Sequence, residues 1–193
     1  MKFFVPAHVA LLLPCLALTH NSHADTAPLL LDPSVITGSR SASPSFDLPY
    51  SVDSISREQI SDGQLGINAS EVLSRVPGLV VQNRQNYAQD LQISSRGFGA
   101  RSAFGVRGIK LIADGIPAST PDGQGQAATF NLDTAERIEV LRGPAATLYG
   151  SNAGGVIQMF SRDGEGPPRI GAETLVGSDG LSKNHLTAEG ATD

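Results

Sequence analysis

The stretch SSRGFGARSAFGVRGIKLIADGIP, Ser94 to Pro117, carries five glycines and four basic residues in 24 positions. Glycine at that density is costly in a helix interior and supplies the positive φ angles of tight turns. This part of the chain must therefore fold as short segments joined by corners, or cradle a ligand with its backbone. A nucleotide is the first ligand to consider. Dinucleotide binding needs G-x-G-x-x-G after a strand and opening a helix. Gly97 and Gly99 fit, but position 102 is Ser, SAFGVRG is too broken to start a helix, and no G-x-x-x-x-G-K-[ST] run occurs. Gly97, Gly99, Gly105 and Gly108 instead predict tight turns and close backbone approach. Arg96, Arg101 and Arg107 fall together in an otherwise acidic chain. Three guanidinium groups suit carboxylate, phosphate or acidic neighbours, and composition does not choose among them.

The first 24 residues read as a secretory signal peptide. Lys2 supplies the positive charge, Val9 to Leu18 the apolar run, and Ser22-His23-Ala24 the small residues of a cleavage site. The run is half the roughly 20 residues that span a bilayer as a helix. Cys15 suggests lipidation, but Pro14 stands where such a site wants a small residue. Cleavage would remove Cys15, His8, His20 and His23, leaving no cysteine and only His185. That inventory excludes a disulfide framework and the usual Cys/His zinc site. A Ser-His-Asp triad would have to use His185, which has no nucleophile elbow upstream. Without Lys2 the 14 basic residues become 13 against 19 acidic ones, a net charge of −6 with no basic cluster. Nucleic acid is not an expected partner, and neither a cofactor nor enzymatic activity is expected.

Residues 25–49, rich in Ser, Pro, Ala and Asp, predict an extended arm. SVDSI then alternates like a strand, and Ser56-Arg57-Glu58-Gln59 forms a capping box. In INASEVLSRVPG, Asn68 caps a second helix while Glu71 reaches back, Ile67 and Val72 stand at the staple positions, and Pro77-Gly78 ends the helix. LVVQ and LQISS are strand-like around an Asn/Gln-rich loop. Ile109 to Ala113 predicts a strand that turns at Asp114-Gly115. ERIEVLRGP places Ile138, Val140 and Arg142 on one face of a strand; PAATLY is a helical turn framed by Pro144 and Gly150, and GGVIQMFSR a returning strand. Beyond Pro167-Pro168, two alternating segments around Ser178-Asp179-Gly180 form a hairpin. Some of Glu136, Arg137, Glu139 and Arg142 are expected to form ion pairs that hold this segment against an enclosing wall, a solvated strand face being the alternative.

Taken in order, SRGFGAR, IADGIP and ERIEVLRGPAATLYGSNAGGVIQMFSR resemble the plug domain of TonB-dependent outer-membrane receptors. Five family motifs stand at Arg96-Gly97, Asp114 to Pro117, Ile138 to Pro144, Leu148 to Gly150 and Gly154 to Ile157, and the resemblance covers Tyr50 to Arg162. It implies an α/β (α+β) plug domain with a short mixed sheet and small helices, followed by the first strands of a transmembrane β-barrel. The implied partition is a signal peptide at 1–24, an arm at 25–49, the plug at 50–165 and the start of the barrel at 166–193.

The resemblance also implies partners. An extended TonB box should follow the signal peptide, and LDPSVITGSR is the candidate, with Asp32, Pro33, Ser34, Val35, Ile36 and Thr37 as its match. Such a peptide adds a strand to the sheet of TonB, which an inner-membrane complex energises. The implied ligand is a ferric siderophore or other iron complex, with cobalamin or copper as alternatives. Arg96, Phe98, Arg101, Gln124 and Gln126 are the candidate contacts, on the external side of the plug. The implied location is the Gram-negative outer membrane, its lipid met through the barrel. After Arg162 only 31 residues remain, against a 22-stranded barrel. The chain is thus expected to be the N-terminal piece of a receptor, from a truncated frame, a pseudogene or an incomplete sequence. A free-standing exported binding module is the second reading.

Overall fold

The structure is a computed structural model, and it describes residues 35–36, 41, 43–44, 47–86, 89–103, 105–150 and 152–191. The expected signal peptide and Asp32, Pro33, Ser34 and Thr37 lie outside the described residues. In chain order the elements are β1 (Val35–Ile36), β2 (Ser43–Pro44), β3 (Val52–Ser56), α1 (Arg57–Ser61), α2 (Ser70–Leu73), β4 (Leu79–Gln82), β5 (Gln92–Ser95), β6 (Ile109–Ala113), β7 (Ile116–Pro117), β8 (Ala135–Leu141), β9 (Gly155–Ser161), β10 (Arg169–Val176) and β11 (Ser182–Glu189). Short 3₁₀ segments occupy Ala127–Thr129, Pro144–Tyr149 and Ser178–Gly180.

Local signals account for most of these boundaries. The capping box forms at α1, where Gln59 Oε1 accepts the Ser56 N–H at 2.9 Å. At α2, Asn68 Oδ1 accepts the Ser70 N–H at 3.0 Å. Glu71 reaches further than a capping box requires. Its carboxylate accepts four backbone amides, from Leu65, Gly66, Ile67 and Asn68, at 2.9 to 3.0 Å. Val72 is fully buried, but Ile67 stays 38% exposed, so the expected staple is open on its Ile67 side. The β6–β7 corner is the predicted Asp-Gly turn, with φ of 48° at Asp114 and 81° at Gly115. The described part of the arm is extended and paired. Val35 and Ile36 pair antiparallel with Pro44 and Ser43, because an extended backbone satisfies its polar groups on a strand within reach.

The central sheet has the order β3-β8-β9-β6-β7, and it is mixed because β6 and β9 run parallel. Period-two patterning gives it two faces. Ile109, Leu111, Ile138, Val140, Ile157 and Met159 point into the main core with Ile60, Val72 and Leu73 of the helices. Burying each such side chain contributes about 1.5–3 kcal/mol. The opposite face is smaller, with Ile112, Leu141, Ala146 and Val156 against Tyr50, Val52 and Tyr149. That second face also carries charge. Arg137 pairs with the buried Glu139 at 2.8 Å, and its guanidinium lies 4.0 Å over the Phe160 ring. On the main-core side, where Asp53 lies opposite Val140, the buried Arg142 pairs with Asp53 and donates to Ser51 Oγ at 2.9 Å and to the Pro77 carbonyl. Within the chain, Arg137 pairs with Glu139 and Arg142 with Asp53.

Strands β10 and β11 pair with each other and, among the described residues, with no other strand. Their hairpin is two-faced. Arg169, Glu173, Lys183, His185 and Glu189 share one face by register. From that face Lys183 Nζ bonds to Asp133 Oδ1 at 2.5 Å and to the Leu65 carbonyl at 2.9 Å, and Glu189 pairs with Arg162 at 3.0 Å. The other face has no charged residue, and its Ile170 and Leu186 are 87% and 79% exposed.

The chain must pass closely where β9 begins. Gly155 has φ of 125°, and a Cβ there would lie 2.5 Å from the Leu141 carbonyl oxygen. Gly63 is a contrast, with φ of 66° and nothing within 4 Å. Gly155→Ala is expected to cost about 2–4 kcal/mol and Gly63→Ala about 1 kcal/mol, measured by urea unfolding. Equal losses for the two variants would contradict the close approach at Gly155.

Candidate functional site

Two loops and a cleft contain the candidate ligand residues. The first loop leaves β5 in a tight turn. Ser95 and Phe98 exchange backbone hydrogen bonds at 3.0 and 2.9 Å, with φ of 50° at Arg96 and 88° at Gly97. That turn presents Phe98, 47% exposed, and both Arg96 and Arg101 at the surface. Neither arginine has an ion-pair partner among the described residues. The returning leg packs backbone on backbone, since a Cβ on Gly99 would lie 2.6 Å from the Arg107 carbonyl oxygen. The glycines here make turns and close contacts, as their spacing predicts.

Arg107 takes the acidic neighbour that its composition left open. Its guanidinium bonds to Asp122 Oδ2 at 2.9 Å and to Gln124 Oε1 at 3.3 Å. Asp122 closes the second loop, accepting from the Thr120 hydroxyl and, at 3.4 Å, from the Gln124 N–H. Backbone bonds between Val106 and Gly125, at 2.8 and 2.7 Å, clamp the two loops together. The Thr120 hydroxyl, then the Gln124 N–H and then the Arg107 guanidinium hold the Asp122 carboxyl below the usual carboxylate range.

A cleft of about 860 Å³ opens beside the second loop, within the size range of small-ligand sites. Its floor is apolar, with Leu91, Ala127 and Phe130 buried. Its rim is made of side-chain amides: Asn83, Gln85, Asn86, Gln89, Gln124 and Gln126. Arg84 stands among them and donates to Gln89 Oε1 at 3.1 Å. The cleft thus collects Gln124 and Gln126, while Arg96, Phe98 and Arg101 are not among its lining residues. The five expected contacts divide into two places. The residues not anticipated as contacts, Asn83 to Asn86 and Gln89, were signalled by the amide-rich loop between β4 and β5. Of the expected TonB box, Val35 and Ile36 lie in β1. Among the described residues no group of His, Cys, Asp and Glu could hold a metal ion.

The lowered Asp122 pKa fixes the sign of a pH effect. A depressed carboxyl contributes above its unfolded pKa, and the contribution disappears as pH falls through its folded pKa. In a carbon-detected NMR titration the Asp122 carboxyl should titrate below an exposed aspartate, and the Arg107 contacts should loosen in the same acid range. Thr120→Val should raise its pKa more than Arg107→Met does. An unshifted Asp122 in the wild type would overturn this bracing.

Comparison with known proteins adds a family. The model of the TonB-dependent receptor plug domain matches residues 44–157. The pesticin receptor of Yersinia pestis is 35% identical over 162 residues, covering 82% of this chain and 22% of that receptor. The hemin receptor of Yersinia enterocolitica is 30% identical over 148 residues, 75% of this chain and 20% of that receptor. The solved ferric yersiniabactin uptake receptor FyuA from Yersinia pestis aligns with a TM-score of 0.60 at 26% identity, over 74% of this chain and 22% of that one. The chain therefore spans 20–22% of the length of these curated relatives.

Proposed function

We propose, for a chain that belongs to the TonB-dependent receptor plug-domain family, that it forms the N-terminal, energy-coupled part of an outer-membrane receptor for an iron complex. The observation that carries this reading is the match of the plug model to residues 44–157, which include β3, β6, β7 and β8 of the five-stranded sheet, the start of β9 and both candidate loops. The relatives are receptors, one named for hemin and one for ferric yersiniabactin uptake, and they supply the iron-complex reading. The plug gates a barrel, and the arm with Val35 and Ile36 couples it to TonB. Residues 1–24 act as the export signal.

The hairpin supports the outer-membrane part of the reading. Its uncharged face presents Ile170, Ala172, Val176, Leu186 and Ala188 to lipid, with Thr174 and Asn184 bonded to each other between them at 3.1 Å, and its charged face turns to the plug. Apolar-out and polar-in alternation is the pattern of transmembrane β-strands. A hairpin of two strands leaves edges unpaired, and further strands would be needed to close a barrel around this plug.

Coupling to TonB is tested directly. A peptide spanning Leu31 to Arg40 should bind the periplasmic domain of TonB by strand addition. Ile36→Pro should abolish binding, because proline removes a backbone donor from the added strand. Equal binding of the two peptides, read by fluorescence anisotropy, would refute the assignment of the arm.

A further inference from the structure

The division of the expected ligand residues bears on ligand charge. Had Arg96 and Arg101 lined the cleft with Gln124 and Gln126, an anionic chelate would meet two guanidinium groups there. The charged residues that do line it are Arg84, Glu71 and Asp90, one cation against two carboxylates, a formal net of −1. Arg84 is the single cation of the lining, and it donates one N–H to Gln89. Both Glu71 oxygens are taken by four backbone amides, and Asp90 Oδ1 accepts the Ala128 N–H at 3.3 Å. A polyanionic ligand entering here would lose hydration and meet one cation against two carboxylates.

The same lining suits a different chemistry. A carboxamide offers both donors and acceptors without a net charge, and the buried floor of Leu91, Ala127 and Phe130 offers apolar contact. We propose that the cleft binds an electrically neutral, hydrogen-bond-rich metal chelate of the ferric tris-hydroxamate kind, held by the side-chain amides of Gln85 and Gln126 and by the Nε2 donors of Gln124 and Gln89, whose Oε1 atoms accept from Arg107 and Arg84. Three singly charged hydroxamates neutralise ferric iron, whereas three doubly charged catecholates leave the complex triply negative. The cleft discriminates between these by charge, and Arg96 and Arg101 take no part in it. This proposal rests on the receptor reading above and narrows its ligand.

The test is calorimetric titration of the 193-residue chain with a neutral ferric tris-hydroxamate and with ferric tris-catecholate. The neutral chelate should bind at least about tenfold more tightly, and Gln124→Ala with Gln126→Ala should weaken it about tenfold. Arg96→Ala with Arg101→Ala should leave its affinity unchanged within about twofold. Gln126 is exposed, so Gln126→Lys tests the charge argument without disturbing the core, and it should raise affinity for the tris-catecholate. Circular dichroism of each variant checks that the fold is kept. The proposal is overturned if the tris-catecholate binds as tightly as the neutral chelate, if binding depends on Arg96 and Arg101, or if neither chelate binds. Each of those results leaves the receptor reading standing, because capture of TonB by the arm is measured separately.

Discussion

The buried guanidinium of Arg142 ties together parts of the chain that sequence keeps far apart. From the end of β8 it reaches Asp53 and Ser51 at the start of β3, and the Pro77 carbonyl in the turn between α2 and β4. The fork of a guanidinium can serve three directions at once, which an ammonium on a flexible stem does less well. The arrangement also dictates its neighbour. A Cβ at Gly78 would stand 3.2 Å from Arg142 Nη1, and Gly78 has φ of 82°. A buried charge without partners is costly, so this tie holds only while Asp53 and the carbonyl are in place. Loss of one partner therefore strands the other.

From that tie the sheet carries its loops to the surface. Pairing of β9 with β6 on one side and β8 on the other brings Gly154 close to Gly108 and Gly155 close to Leu141. The Arg107–Asp122 brace then fixes the loop that brings Gln124 into the cleft. On another side the Leu65–Gly66 peptides are held from both directions. Glu71 accepts their N–H groups while the Lys183 ammonium takes their carbonyls, so one short loop joins the α2 cap to the β10–β11 hairpin. Leu65 lines both the amide-rimmed cleft and a second cavity of about 290 Å³ against the hairpin. The candidate ligand surface and the first strands beyond the plug thus share a wall.

Much of this was legible because its causes are local. The capping box at Ser56, the Asp114-Gly115 turn, the 3₁₀ turn between Pro144 and Gly150 and the hairpin around Asp179 each follow from residues two to six positions apart. What was hidden depends on long-range partners. Nothing near Arg142 in sequence points to Pro77 or Asp53, 65 and 89 residues away. The capping role of Glu71 was readable, but its hold on Leu65 and Gly66 depends on a turn through Gly66 at φ of 63°. Chemical type drew attention to Arg96 and Arg101 as ligand contacts. Which loops share a cleft is set by tertiary placement, which brought Gln124 and Gln126 to the amide-rich loop instead.

The central claim is that the Arg142 tie, buried within the plug, holds β3, β8 and the α2–β4 turn in one unit. A double-mutant cycle on the 193-residue chain, with Arg142→Met, Asp53→Asn and the pair together, tests it by urea unfolding. The account predicts a coupling energy of about 1–3 kcal/mol, because each single change strands a partner that the double change removes. Additivity within about 0.3 kcal/mol would contradict it, and Arg142 would then be a tolerated charge and not the tie that organises the fold.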